Sequence, residues 1–135
     1  CIGFSTCYVS KLVEAVQDDE FVVVLHNCGN TGQCTDAMLQ SGAAALHFGN
    51  AVDIKSVLAE CPDDIMIMGN LDPVGLFKQS SPEKVYQETY MLLENTSAYR
   101  NFVISSGCDI PPGVPVENIE AFFKALADYN GNCNV

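Results

Sequence analysis

Four short apolar runs punctuate this chain, and they limit it to one class of architecture. They are Phe21-Val22-Val23-Val24-Leu25, Ala43 to Phe48, Ile65-Met66-Ile67-Met68 and Phe102-Val103-Ile104-Ser105. An unbroken apolar run rich in β-branched residues reads as a strand covered on both faces, the habit of parallel sheets. Helical patterns separate the runs. Before the first, Val9, Leu12, Val13 and Val16 recur at helical spacing, and Asp18-Asp19-Glu20 makes a polar turn. After it, Gly29-Asn30-Thr31-Gly32 breaks the chain and Cys34 to Leu39 reads as a helix. Asp53 is placed to cap a short helix to Cys61, with Pro62 just past its end. Ser81, as N-cap, and Pro82, at the first helical position, open a longer helix to about Asn95. The last helix is expected from about Val116 to Tyr129, with residues 130–135 as a frayed tail.

The order is therefore a helix followed by four strand–loop–helix units. Parallel strands joined by helical crossovers follow from it. Two architectures fit: an open doubly wound sheet, or part of a (β/α)8 barrel. A whole barrel takes ~250 residues, so four units in 135 residues make half of one. No linker or low-complexity stretch divides the chain, and a single domain over residues 1–135 is expected. The start at Cys1-Ile2-Gly3, without Met or a basic leader, is expected to lie inside a longer protein.

Charge removes several function classes. The formal net charge is −11, with only six Lys and Arg. Phosphate backbones and anionic lipid surfaces are bound by basic side chains, so nucleic acid and membrane are poor partners. No apolar run reaches the ~20 residues that a spanning helix needs. No Gly-rich phosphate loop or nucleophile-elbow serine follows any strand. The seven cysteines are an odd number in an apolar strand-and-helix context. That favours a reducing cytoplasm over a disulfide framework.

The chemistry concentrates at strand ends. His26 and Cys28 stand two apart just after the first run, and residues at i and i+2 on a strand point the same way. Cys108 follows the fourth run in Ser105-Ser106-Gly107-Cys108. Parallel strands end on one face, which in barrels carries the active site. One imidazole and two thiolates suit zinc, and three protein ligands leave a fourth position open, as in catalytic sites. Spacing alone leaves zinc ligation and plain core cysteines both open. Cys7, Cys34 and Cys61 read as packing residues, and Cys1 and Cys133 as incidental. Gly69-Asn70-Leu71-Asp72-Pro73 falls after the third run on the same face. Asn70 and Asp72 can hydrogen-bond a ligand there, or can simply shape a turn. Asp109 neighbours Cys108 as a supporting group. His47 can reach the same face but reads first as a satisfied core histidine. Asp53 reads as a cap rather than a catalyst.

His26-Asn27-Cys28-Gly29, Gly69-Asn70-Leu71-Asp72-Pro73, Gly107-Cys108-Asp109-Ile110-Pro111 and Pro115-Val116-Glu117-Asn118-Ile119 occur here in that order. Together they resemble the C-terminal half of the uroporphyrinogen decarboxylase superfamily, over nearly the whole chain from about Cys7 to Tyr129. That superfamily holds metal-free decarboxylases of haem biosynthesis and zinc-dependent methylcobamide:coenzyme M methyltransferases. The resemblance implies the C-terminal half of a TIM barrel. The methyltransferases bind zinc through a His-x-Cys pair and a distant Cys, which His26, Cys28 and Cys108 match. The decarboxylases usually carry a His-Gly pair where Gly107-Cys108 stands. The methyltransferase branch is thus the closer likeness. It implies zinc, a methylated corrinoid on a partner protein, a small thiol acceptor, and an N-terminal half of the barrel to complete the pocket. Decarboxylation of a porphyrinogen is the alternative. A non-catalytic half-barrel that dimerises to cover its sheet edges is the third reading.

Overall fold

The computed structural model describes residues 5–29 and 34–132. Its elements in chain order are α1 (Cys7–Val16), β1 (Val24–Asn27), α2 (Thr35–Leu39), β2 (Ala45–Phe48), α3 (Ile54–Glu60), β3 (Met66–Leu71), α4 (Pro82–Thr96), β4 (Phe102–Ser106) and α5 (Val116–Asn132). The strands form one parallel sheet in the order β1-β2-β3-β4. Each strand pairs with its sequence neighbour and the order never reverses. A doubly wound sheet would reverse it at a switch point. Parallel crossovers are as a rule right-handed, so successive crossovers without reversal wind one way, as in a barrel. Of the two architectures left open by the sequence, the chain is part of a TIM barrel.

The register sorts the two faces. Leu25, Leu46, Ile67 and Phe102 lie side by side across the four strands. Leu46 and Ile67 are fully buried, and this row packs with Val13 of α1, Met38 of α2 and Ile54, Val57 and Leu58 of α3. The next row, His26, His47, Met68 and Val103, points to the opposite face. On that opposite face Val24, Met66 and Val103 are 48%, 45% and 38% exposed. The helices therefore cover one face, and the face that lines a barrel's interior is open.

Local chemistry explains the ends of several elements. Asp53 accepts a hydrogen bond from the Lys55 amide at 3.2 Å and from the Ser56 hydroxyl at 2.7 Å. The Ser56 bond, chiefly, holds its carboxyl below the usual range. Ser81 accepts from the Lys84 amide, and Pro82 opens α4 as its pattern requires. Gln17 ends α1 and ties the sheet's first two strands together. Its amide oxygen accepts from Val23 N and Ala44 N, and its nitrogen donates to the Gly42 carbonyl.

Several boundaries differ from the sequence reading by a residue or two, among them the start of β2 at Ala45 rather than Ala43, and three differ by more. β1 starts at Val24 rather than Phe21, because its ladder with β2 begins at the Val24–Ala45 pair. β3 runs on through Gly69-Asn70-Leu71, which pair with Ile104, Ser105 and Ser106, so part of the expected loop is strand. α5 continues to Asn132, whose side-chain amide donates to the Tyr90 hydroxyl at 3.1 Å, so the expected tail is helical that far. Cys1, Cys133 and the expected turn at 30–32 lie outside the described residues.

Asn118, in the first turn of α5, is 1% exposed. Its amide nitrogen donates to the carbonyls of Phe77 at 2.8 Å and Ser80 at 2.9 Å, pinning α5 to the segment before α4. Asn118→Ala leaves the buried Phe77 carbonyl and the half-buried Ser80 carbonyl without this donor. A loss of about 2–4 kcal/mol is expected in the full-length protein, read by urea unfolding.

Candidate metal centre

β1 carries His26 within the strand and Cys28 just beyond it, so both side chains leave on the open face. Cys108 arrives from the far end of the sheet, and glycine makes its approach possible. Gly107 follows β4 and donates its amide to the Leu71 carbonyl at 2.7 Å. A Cβ on Gly107 would stand 2.5 Å from the Asn50 backbone nitrogen. The chain after β4 thus crosses toward the end of β2, although β3 lies between those strands. Gly69, at φ +135°, works in the same way, since a Cβ there would stand 2.8 Å from the Phe48 carbonyl oxygen. The Gly69–Asn70 peptide is cis.

The result is a compact cluster. His26 Nε2 and Cys28 Sγ are 2.6 Å apart, and Cys28 Sγ and Cys108 Sγ are 3.4 Å apart. All three ligand atoms lie within 4.8 Å of one another. His26 and Cys28 are exposed and Cys108 is half-buried. The cluster fits a metal ion in donor type, and the sulfur pair fits it in spacing. Zinc–sulfur bonds of about 2.3 Å give a tetrahedral edge near 3.8 Å. The His26–Cys28 separation is tighter than such an edge, and both side chains are exposed enough to open by rotation. Among the described residues no other group of three His, Cys, Asp or Glu gathers in this way. The Cys28 thiol is pushed above its ordinary pKa, first by its hydrogen bond with Cys108, then by burial and by negative charge on Cys108 and Asp109.

The remaining candidates fall in several places. Asp109 is exposed beside Cys108 and acts on Cys28 through its charge. Asn70 donates to the carbonyls of Gly49 at 3.1 Å and Val52 at 2.6 Å, which holds the loop after β2. Asp72 accepts from the amides of Val74 and Gly75, both at 2.9 Å, and so shapes its own turn. Asn70 and Asp72 also line a cavity of about 450 Å³ between the β3–α4 segment and α4, rimmed by Lys84 and Glu88. None of His26, Cys28 and Cys108 lines it.

His47 points to the same face as the cluster. Its ring lies against that of His26 at 4.5 Å between centroids, tilted by 39°. Its Nε2 is 2.8 Å from the Ser106 carbonyl oxygen and 3.1 Å from Ser105 Oγ. A carbonyl only accepts, so Nε2 carries the proton. The sequence reading of a satisfied core histidine holds for the hydrogen bonding but not for the place, since His47 is half-buried on the open face; no local pattern pointed to Ser106. The other cysteines differ among themselves. Cys61 is a core residue whose thiol pKa is raised mainly by burial. Cys7, expected to pack, is exposed on α1. Cys34, also expected to pack, is disulfide-bonded.

A winding of parallel strands with a His/Cys cluster at their ends defines a barrel-type α/β chain with a candidate metal centre. Comparison with known proteins gives the family. The uroporphyrinogen decarboxylase (URO-D) family model matches residues 3–129, and the chain belongs to that family. It is 29% identical over 122 residues to the methylcobamide:CoM methyltransferase MtbA of Methanosarcina mazei, covering 90% of this chain and 34% of that protein. It is 31% identical over 131 residues to the uroporphyrinogen decarboxylase of Serratia proteamaculans, covering 95% of this chain and 36% of that protein. A solved methyltransferase from Methanosarcina mazei superposes with a TM-score of 0.81 at 23% identity, over 94% of this chain and 36% of that one, which shows the shared fold. The chain thus spans about a third of the length of these relatives.

The approach of Cys108 to Cys28 can be tested directly. Mild oxidation of the metal-free full-length protein is expected to join Cys28 and Cys108 in a disulfide, detected by peptide mapping. Gly107→Val, which forces the chain off Asn50, is expected to suppress that product.

Proposed function

We propose that His26, Cys28 and Cys108 hold zinc in a methyltransferase that moves a methyl group from a methylated corrinoid to a thiol. The observation that carries this reading is the gathering of one imidazole nitrogen and two sulfurs within 4.8 Å at the strand ends. The likeness to MtbA, named for methylcobamide and CoM, supports the donor and acceptor classes. Zinc bound with a fourth position open would lower the pKa of an acceptor thiol, so that a thiolate is present at neutral pH.

The chain's own residues supply the holding. Cys28 and Cys108 come from opposite ends of the sheet and must each give up a proton to ligate. Their negative charges, beside Asp109, are costly when close together and are offset by a divalent cation. His26 adds a neutral ligand on the exposed side. The place of the cluster at the strand ends, with His26 and Cys28 exposed, gives a corrinoid, brought by a partner protein, access to it. Asn70, Asp72 and Asp109 are the pocket residues on this reading, and the cytoplasm is its setting. No helix among the described residues is long and apolar enough to cross a membrane.

The exposed Val24, Met66 and Val103 on the interior face, and the stripe of Tyr8, Leu12 and Val16 on α1, support further barrel units as their cover. A second copy of this chain is the rival occupant. A full-length protein that runs as a monomer would exclude that rival.

Metal analysis tests the main reading. The full-length protein is expected to carry stoichiometric zinc, and Cys28→Ser to lose both zinc and thiol methylation. A protein free of zinc, or a Cys28→Ser variant that methylates thiols at the parental rate, overturns it. The second reading, porphyrinogen decarboxylation with the cysteines as bystanders, draws on the 31% identity to the Serratia decarboxylase. It expects decarboxylation that survives removal of metal.

A further inference from the structure

We propose that His47 is a positioning residue for the metal centre, bracing His26 and the Cys108 loop against each other across the open face. The proposal rests on the metal reading above and names a residue outside the ligand set.

The brace is built from contacts on two strands that are not neighbours. His47 sits on β2 and pairs in register with His26 of β1. Its ring contacts the His26 ring at 4.5 Å between centroids, which limits how far the exposed His26 side chain can swing. The same ring reaches past β3 to β4, where Nε2 donates to the Ser106 carbonyl at 2.8 Å. The Ser105 hydroxyl also donates to that carbonyl at 3.0 Å and lies 3.1 Å from His47 Nε2. Ser106 continues the connection, because its hydroxyl donates to the Cys108 carbonyl at 2.6 Å. One imidazole therefore touches one ligand directly and fixes another through a single intervening residue. The side chain is half-buried and its Nε2 hydrogen is spent on Ser106, so its work is mechanical.

Groups that orient metal ligands typically change affinity by about 10- to 100-fold when removed. Phe keeps a ring against His26 but cannot donate to Ser106. Gln offers an N–H near the place of Nε2. The full-length protein, stripped of metal and titrated with Co2+, reads the site without any turnover, through affinity and through the visible spectrum of thiolate-bound cobalt. His47→Phe is expected to weaken Co2+ binding by about 10- to 100-fold and to shift the spectrum. His47→Gln is expected to restore most of both, with the far-UV circular dichroism of all three proteins alike. Parental affinity and spectrum in His47→Phe would overturn the proposal, as would a Gln variant no better than Phe. A second readout separates this proposal from the metal reading. In metal-free protein His47→Phe is expected to slow formation of the Cys28–Cys108 disulfide. If the parent takes up no Co2+ while His47→Phe still slows that disulfide, the metal reading falls and the bracing role stands. If the disulfide forms at the parental rate, the brace falls whatever the metal does.

Discussion

Register between parallel strands is the constraint on which the rest of this structure depends. One row of the ladder, Leu25, Leu46, Ile67 and Phe102, packs with the helices and holds the sheet on them. The neighbouring row, with His26 and His47, is thereby sent to the other face. A slip of one residue would exchange the rows. It would place imidazoles among Val13, Ile54 and Val57 and put Leu25 and Leu46 on the open side. Full burial, as at Leu46, is worth roughly 1.5–3 kcal/mol per leucine, and the half-buried Leu25 adds a part of that. The position of the histidines is therefore fixed by hydrophobic packing on the face they do not occupy.

A second condition acts at the strand ends. Cys108 is eighty positions from Cys28 in sequence and enters from the other edge of the sheet. The sheet must curl for the two sulfurs to meet, and close backbone approach is where the curl shows. Gly107 lies against Asn50, and Gly69 lies against the Phe48 carbonyl. A side chain at either position would hold the ends of β2, β3 and β4 apart. Barrel curvature and the candidate metal centre are, in this sense, the same feature seen at two scales.

What the sequence disclosed followed the range of the physics involved. The caps at Asp53 and Ser81 depend on residues two or three positions away, and both were legible. The strands were legible as apolar runs, but their limits were not. Phe21 and Val22 have the composition of a strand and no β2 residue opposite them, while Gly69 and Asn70 look like a turn and are paired. His26 and Cys28 could be matched by the two-residue period alone. Cys108 was reached only through the rule that parallel strands end on one face, and the resemblance to a family strengthened the grouping, because no local rule brings residue 108 to residue 28. Asn118 stood in a quoted motif without a stated role, and its two hydrogen bonds to Phe77 and Ser80 account for it structurally. The contact of His47 with Ser106 was hidden for the same reason as Cys108, since it spans a strand.

The distribution of exposure bears on why such a centre sits where it does. A ligand cluster on the helix-covered side would need its charges compensated inside a packed core, where an unpaired thiolate is costly. On the open face the same thiolates would keep access to water until a cation replaced it. That face also carries Val24 and Met66 one step toward the strand starts, and Val103 in the histidine row itself. If further barrel units cover these apolar residues, the interior would be dry below the candidate cluster and open above it at the strand ends. Electrostatic interactions strengthen when water is excluded on one side, while a large substrate can still approach from the other. The apolar residues and the candidate cluster would then serve one purpose, because the first would set the medium in which the second acts.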